Sequence, residues 1–201
     1  MDMHEIPDAA APPGPAERPA VSLVNLGCPK NQVDAEVMLG QLTAAGYRIA
    51  ASPEEADLVL VNTCGFIQEA KEESIQSILQ AAALKRTGRC RALVVSGCLP
   101  QRYREELPGL LPEVDAFLGT GEFPRIAEIA GSALRGRGRE RVWVTGHTAL
   151  MTSELPRRRL TPPHVAYVKV AEGCDHRCSF CAIPGIRGRQ RSRSRADIRT
   201  E

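Results

Sequence analysis

In Asp57-Leu58-Val59-Leu60-Val61-Asn62-Thr63-Cys64-Gly65 an acidic residue precedes four consecutive apolar residues, which end on a polar pair, a thiol and a glycine. An unbroken apolar run of this length, unlike an alternating one, marks a strand covered on both faces. A helical stretch follows over about residues 69 to 86, with Ile75, Ile78, Leu79 and Ala82 as its apolar stripe. Glu69, Glu72 and Glu73 lie in its first turns and Lys85 and Arg86 in its last, which suits the helix dipole, and Gly88 closes it. The same unit stands upstream. Ala20 to Leu26 is a largely apolar run that ends at Gly27-Cys28, and from Asn31 the pattern turns helical. Ala35, Met38, Leu39, Leu42 and Ala45 form one stripe, Gly46 takes the left-handed C-cap position, and a short strand is expected over Tyr47 to Ala50. The unit comes a third time downstream, with Arg91 to Ser96 as the strand, Gly97-Cys98 at its end and a shorter helix over Gln101 to Leu107. Further strands are expected at Asp115 to Leu118 and Val142 to Val144, and a helix over Phe123 to Leu134 with Ile126, Ile129, Ala130 and Ala133 inward. Such alternation predicts an α/β domain over residues 20–144, a parallel sheet with helices on both faces.

Parallel strands joined by right-handed crossovers all point the same way, so the residues at their C-terminal ends gather along one edge of the sheet. Cys28, Cys64 and Cys98 each occupy that position beside a glycine, which lets the backbone turn sharply and approach a ligand closely. Singly, each thiol reads as a small buried hydrophobe. Three in the same structural place read as one shared ligand set. Cys90 begins a strand at the opposite edge and is read as structural.

A second set lies in Gly173-Cys174-Asp175-His176-Arg177-Cys178-Ser179-Phe180-Cys181. An iron–sulfur cubane normally takes four cysteine ligands, so a loop with Cys174, Cys178 and Cys181 and no fourth cysteine nearby leaves one iron for a substrate or cofactor. Phe180 places an aromatic ring beside whatever binds there. The alternative is structural zinc, with His176 completing the set of Cys174, Cys178 and Cys181; it would make the chain a non-enzymatic zinc-binding regulator.

The remaining features bound the reading. At 201 residues and 43% hydrophobic content the chain holds one domain and part of a second. Seven cysteines, a start at Met1-Asp2-Met3-His4-Glu5 without a basic or apolar leader, and no apolar run of membrane length point to a reducing, cytosolic setting with no membrane contact. Residues 1–19, rich in Ala and Pro, are expected to be a disordered tail. Residues 145–163, with Pro156, Arg157 to Arg159 and Pro162-Pro163, read as an interdomain linker in which His147 is exposed. His164 to Val170 reads as the first strand of a second domain over residues 164–201, which stops about one βα unit in. Basic and acidic residues nearly cancel, so any nucleic-acid contact rests on Arg187, Arg189, Arg191, Arg193 and Arg195. That run is read either as a surface meeting nucleic-acid phosphate or as a solvated loop.

Cys-x3-Cys-x2-Cys with an aromatic before the last cysteine resembles the radical S-adenosylmethionine enzymes, in which the unique iron chelates that cofactor. Together with Gly27-Cys28-Pro29-Lys30-Asn31, Asn62-Thr63-Cys64-Gly65-Phe66-Ile67, Ser96-Gly97-Cys98-Leu99 and Glu172-Gly173-Cys174, it resembles the methylthiotransferases over residues 20–201. Pro29, Thr63-Cys64-Gly65-Phe66-Ile67 and Leu160-Thr161-Pro162-Pro163-His164 are similar to the branch that modifies an aspartate of the twelfth small-subunit ribosomal protein. The branch that modifies transfer-RNA adenosine carries Gln where Pro29 stands and an arginine shortly after the second cysteine; it is the alternative. The resemblance implies two 4Fe-4S clusters, one on Cys28, Cys64 and Cys98 that donates a methylated sulfur and one on Cys174, Cys178 and Cys181 that reduces S-adenosylmethionine, with Phe180 beside the cofactor. It also implies the start of a partial β/α barrel after the linker, a ribosomal-protein or ribosome substrate, a flavodoxin-type electron donor and no acid/base residue.

Overall fold

In Leu58–Thr63 every side chain is buried, because the strand runs through the middle of a sheet with helices on both sides. The computed structural model describes residues 18–136, 141–146 and 148–201. Most of the expected tail, residues 1–17, and His147 lie outside the described residues.

Six strands make one parallel sheet: β1 (Ala20–Asn25), β2 (Arg48–Ile49), β3 (Leu58–Thr63), β4 (Ala92–Gly97), β5 (Ala116–Leu118) and β6 (Val142–Trp143), in the order β2-β1-β3-β4-β5-β6. Alternate residues divide two apolar cores. Leu58 and Leu60 pack with Ala92 and Val94 against α1 (Pro29–Ala44), while Val59 and Val61 pack with Leu93 and Val95 against α2 (Gln68–Thr87). After β4 come α3 (Cys98–Arg102) and α4 (Leu107–Leu110), then α5 (Ile126–Arg135), whose Ile126, Ile129 and Ala130 join α1 on its face of the sheet. At the other end of the strands Asp57 accepts from the Ala20 amide at 2.8 Å and from Arg89 Nε at 2.9 Å. Burial pushes its carboxyl up, but these bonds and the Arg89 charge hold it below the usual range.

Several expected elements differ. In place of one helix over Gln101 to Leu107, α3 ends at Arg102 and α4 begins at Leu107, because one helix continued through would meet Pro108, which lacks an amide hydrogen and clashes with the preceding turn. On α2 the buried face is Ser74, Ile78, Ala81 and Ala82, and Ile75 and Leu79 stand exposed. Apolar periodicity marks a stripe but not which of its edges meets the sheet; here Ser74 is inside because its hydroxyl serves the turn at Cys64. His164 to Val170 is not a strand. Val165, Tyr167, Val168 and Val170 are exposed, and among the described residues the segment pairs with no strand; its Tyr167 and Lys169 carbonyls accept from Arg157 and Arg193 side chains instead. The only pairing downstream of the sheet, among the described residues, is between β7 (Ala171–Glu172) and β8 (Arg191–Ser192), which are antiparallel. Two short helices, α6 (Ile183–Arg187) and α7 (Arg195–Thr200), flank β8.

Residues 148–163 hold no helix or strand, yet they are strapped to α1. Met151 enters the core, Arg157 pairs with buried Glu36 at 2.6 Å, and the Leu160 amide donates to the same carboxylate at 2.9 Å. Gly40 makes room for the strap: a β-carbon there would collide with the Pro156 carbonyl group.

Candidate metal centre

The C-terminal edge of the sheet carries a polar row. Register pairs Asn25 with Asn62 and Asn62 with Ser96, so three polar side chains lie abreast on the α1 face. The Asn62 amide donates to Asn25 Oδ1 and to the Asn31 carbonyl, both at 2.8 Å, and Ser96 Oγ donates to Asn62 Oδ1 at 3.1 Å. Asn31, in the first turn of α1, donates to the carbonyls of Leu26 (3.2 Å) and Thr63 (2.8 Å). One side chain thereby fixes the chain just before Cys28 and just before Cys64.

The three Gly–Cys turns then touch. A β-carbon at Gly27, whose φ is +93°, would lie 3.2 Å from the Cys64 β-carbon, and one at Gly65 would lie 2.8 Å from the Cys98 carbonyl oxygen. The Cys64 amide donates to Ser74 Oγ at 3.1 Å, and Arg102 caps the Gly65 carbonyl at 2.8 Å. Cys28 is exposed, Cys64 half-buried and Cys98 buried. Burial pushes the Cys98 thiol up, against the pull of the Arg187 charge. Cys90 is buried in the core on the α2 face, donating to the Ala92 carbonyl at 3.3 Å, away from this edge.

The second set comes directly after β7. Gly173, at φ +77°, lets the chain turn where a β-carbon would collide with the Arg189 carbonyl group. The Cys174 amide donates to the Gly188 carbonyl at 3.0 Å and the Cys181 amide to the Cys178 carbonyl at 3.1 Å. Asp175 accepts from Arg189 Nε and the Gln190 amide, both at 3.2 Å, closing the loop from outside. Cys174 and Cys181 are half-buried, Cys178 exposed, and the Phe180 ring stands 85% exposed with His176 also at the surface.

Between the two sets lies a buried ion cluster that sequence reading missed. Arg187 Nη1 donates to Asp34 and to Glu172, both at 3.0 Å, and Nη2 donates to Asn31 Oδ1 at 2.6 Å and faces Cys98 Sγ at 3.5 Å. Lys169 pairs with Asp34 and, at 2.7 Å, with Glu172. Lys30 reaches the Ala171 carbonyl at 2.8 Å and Glu172 at 3.5 Å. Burial pushes the Glu172 carboxyl up, but Lys169 and Arg187 more than offset that and hold it below the usual range. Arg187, despite its burial, is held above its ordinary value by Asp34, Cys98 and Glu172. The signal in the sequence was Asp34, which lies three residues after Asn31 and four before Met38 and so on the stripe that faces the sheet.

The arginine run needs correction. Arg187 and Arg193 are buried in ion pairs, Arg193 with Asp197 and Glu201, so neither meets phosphate. Gly188, at φ +72°, turns the chain between them and breaks the alternation that made the run look solvated. Arg189, Arg191 and Arg195 remain exposed.

Each set offers thiols on turns held by close backbone contacts, a donor chemistry that suits an iron–sulfur cluster. Among the described residues no three His, Cys, Asp or Glu side chains are drawn together as ligands to a metal ion. The thiols of each set stand at different depths.

The fold and its cysteine-bearing edge define an α/β domain built to present thiols, joined through charged side chains to a second thiol loop. The model of the uncharacterized protein family UPF0004 matches residues 20–119. The ribosomal protein uS12 methylthiotransferase RimO of Heliobacterium modesticaldum is 54% identical over 178 residues, 89% of this chain and 38% of that protein. RimO of Syntrophus aciditrophicus is 52% identical over 184 residues, 90% of this chain and 41% of that protein. The chain is similar to these methylthiotransferases over about nine-tenths of its own length, and it spans about two-fifths of theirs. In fold it matches the radical S-adenosylmethionine methyltransferase TsrM of Kitasatospora setae, at 16% identity and a TM-score of 0.60, over 89% of this chain and 44% of that one. One TsrM structure holds an S-adenosylmethionine analogue with tryptophan, and another holds cobalamin and a [4Fe-4S] cluster. Among the described residues no helix is long and apolar enough to cross a membrane.

Proposed function

We propose that this chain is the part of a radical S-adenosylmethionine methylthiotransferase that carries both cysteine sets, and that the enzyme modifies the β-carbon of an aspartate in ribosomal protein uS12. The observation that carries the reading is the meeting of three Gly–Cys turns at one sheet edge, tied by Arg187 to the loop of the second set. Cys28, Cys64 and Cys98 would hold one 4Fe-4S cluster and Cys174, Cys178 and Cys181 the other, each leaving a corner open. Bound there, the two clusters and S-adenosylmethionine supply one-electron reduction of the cofactor and the sulfur to be transferred. The protein's part is to hold and orient. Asn31, Asn62 and Ser74 fix the turns of the first set. Phe180, exposed beside Cys181, offers a ring for the cofactor to lie against. Cys28 is the surface-facing thiol of its set and the side from which a substrate reaches the sulfur.

The domain division goes with this reading: residues 20–144 carry the first set, 145–163 strap it to the second domain, and 164–201 open that domain. The partners are uS12 or the ribosome in the cytoplasm and a flavodoxin-type electron donor, with Arg189, Arg191 and Arg195 left to meet ribosomal RNA phosphate. Mass spectrometry of uS12 from cells with and without the gene tests the function. A methylthio group on the uS12 aspartate that disappears with the gene is the expected result; unchanged uS12 together with loss of methylthio-adenosine from transfer RNA would move the assignment to the other branch.

A further inference from the structure

Arg187 is 1% exposed and its guanidinium touches three elements at once: α1 through Asn31 and Asp34, the start of α3 through Cys98, and β7 through Glu172. It sits six residues beyond Cys181, at the end of α6, where the Thr120 hydroxyl donates to the Ile186 carbonyl at 3.3 Å and holds the segment in place. A merely structural ion pair would need a carboxylate partner and nothing more. Here the second nitrogen faces an amide oxygen and a sulfur instead. The buried charges, Asp34 and Glu172 against Lys169 and Arg187, balance one another, and half-exposed Lys30 adds a third cation at the edge of the set. A sulfur carrying negative charge would therefore sit beside a cationic N–H at Cys98 with no facing anion of its own.

We propose that Arg187 is a positioning residue that donates a charge-assisted hydrogen bond to the Cys98 sulfur and ties it, through Glu172, to the Gly173–Cys174 turn. A residue supplied by the segment of the second set thereby tunes the cluster of the first and fixes the distance between them. The inference rests on the reading of Cys28, Cys64 and Cys98 as one cluster-binding set. Reduction adds negative charge to a cluster, and a cationic N–H directed at a ligand sulfur stabilises the reduced form, so Arg187 raises the midpoint potential of the first set.

The test isolates that set in the chain with Cys174, Cys178 and Cys181 all replaced by Ala, loaded anaerobically with iron and sulfide. Iron content is measured together with the midpoint potential, followed by electron paramagnetic resonance. Arg187→Gln is expected to keep the iron of this parent and to move the potential in the negative direction. Arg187→Lys keeps the charge but not the two-pronged geometry, and is expected to fall between the two. It also decides the matter should Arg187→Gln fail to fold, which circular dichroism reports. Iron at the parent level with an unmoved potential in the folded variants would overturn the role of Arg187 and leave the set intact. A parent that takes up no iron would overturn the set itself, and the inference with it.

Discussion

Alanine at Gly97 is expected to destabilise the protein by about 3 kcal/mol in urea denaturation. Gly97 has φ +101° and ψ −150°, a region that only glycine occupies without strain. The space is closed as well. A β-carbon there would lie 2.6 Å from the Thr63 carbonyl oxygen, 2.7 Å from Asn62 Oδ1 and 3.0 Å from the Thr63 amide nitrogen, and two of those atoms are backbone of the central strand. Gly46 separates the two costs. Its φ is +90°, with nothing within 4 Å of the added carbon, so Gly46→Ala carries the conformational term alone, about 1 kcal/mol. Equal losses at both positions would show that the close approach at Gly97 has no energetic weight.

Asp34→Ala is expected to be the costlier change, about 4 kcal/mol, because it breaks a buried ionic set rather than an exposed pair. The side chains of Asp34, Lys169 and Arg187 are each no more than 6% exposed. Removing the carboxylate leaves three cations facing Glu172 alone. Glu105→Ala is the comparison: Glu105 is 81% exposed and meets Arg104 at 3.5 Å, and its loss is expected to stay within about 0.5 kcal/mol. Denaturation midpoints of the two variants measure the contrast, and an Asp34→Ala loss no larger than that of Glu105→Ala would mean that the cluster does not hold the C-terminal segment on α1.

The features legible in the sequence are the local ones. Apolar runs such as Val59 to Val61 and Leu93 to Val95, each ending near a Gly–Cys or Cys–Gly pair, declare a buried parallel strand and the turn after it, and the three-thiol edge comes from topology alone. The charged cluster is not local. Lys169 meets Asp34 across 135 positions and Arg187 meets it across 153, and no periodicity links them. Arg187 looked like one of five alternating surface arginines because nothing near it in sequence announces the turn at Gly188. Hydropathy ranks the Ser74 hydroxyl below the Ile75 aliphatic chain, although the half-buried turn amide at Cys64 needs the hydroxyl. Val165 to Val170 has the composition of a strand, but composition cannot supply the neighbour that a strand must pair with.

The claim under all of this is that six of the seven cysteines form two separate cages of three. Iron counted on the anaerobically reconstituted chain tests it most directly, beside two variants in which either Cys28, Cys64 and Cys98 or Cys174, Cys178 and Cys181 are replaced by Ala. About eight irons per unaltered chain and about four in each variant are expected, with the Cys90→Ala chain unchanged. About four irons on the unaltered chain, with none left in one of the two variants, would contradict it.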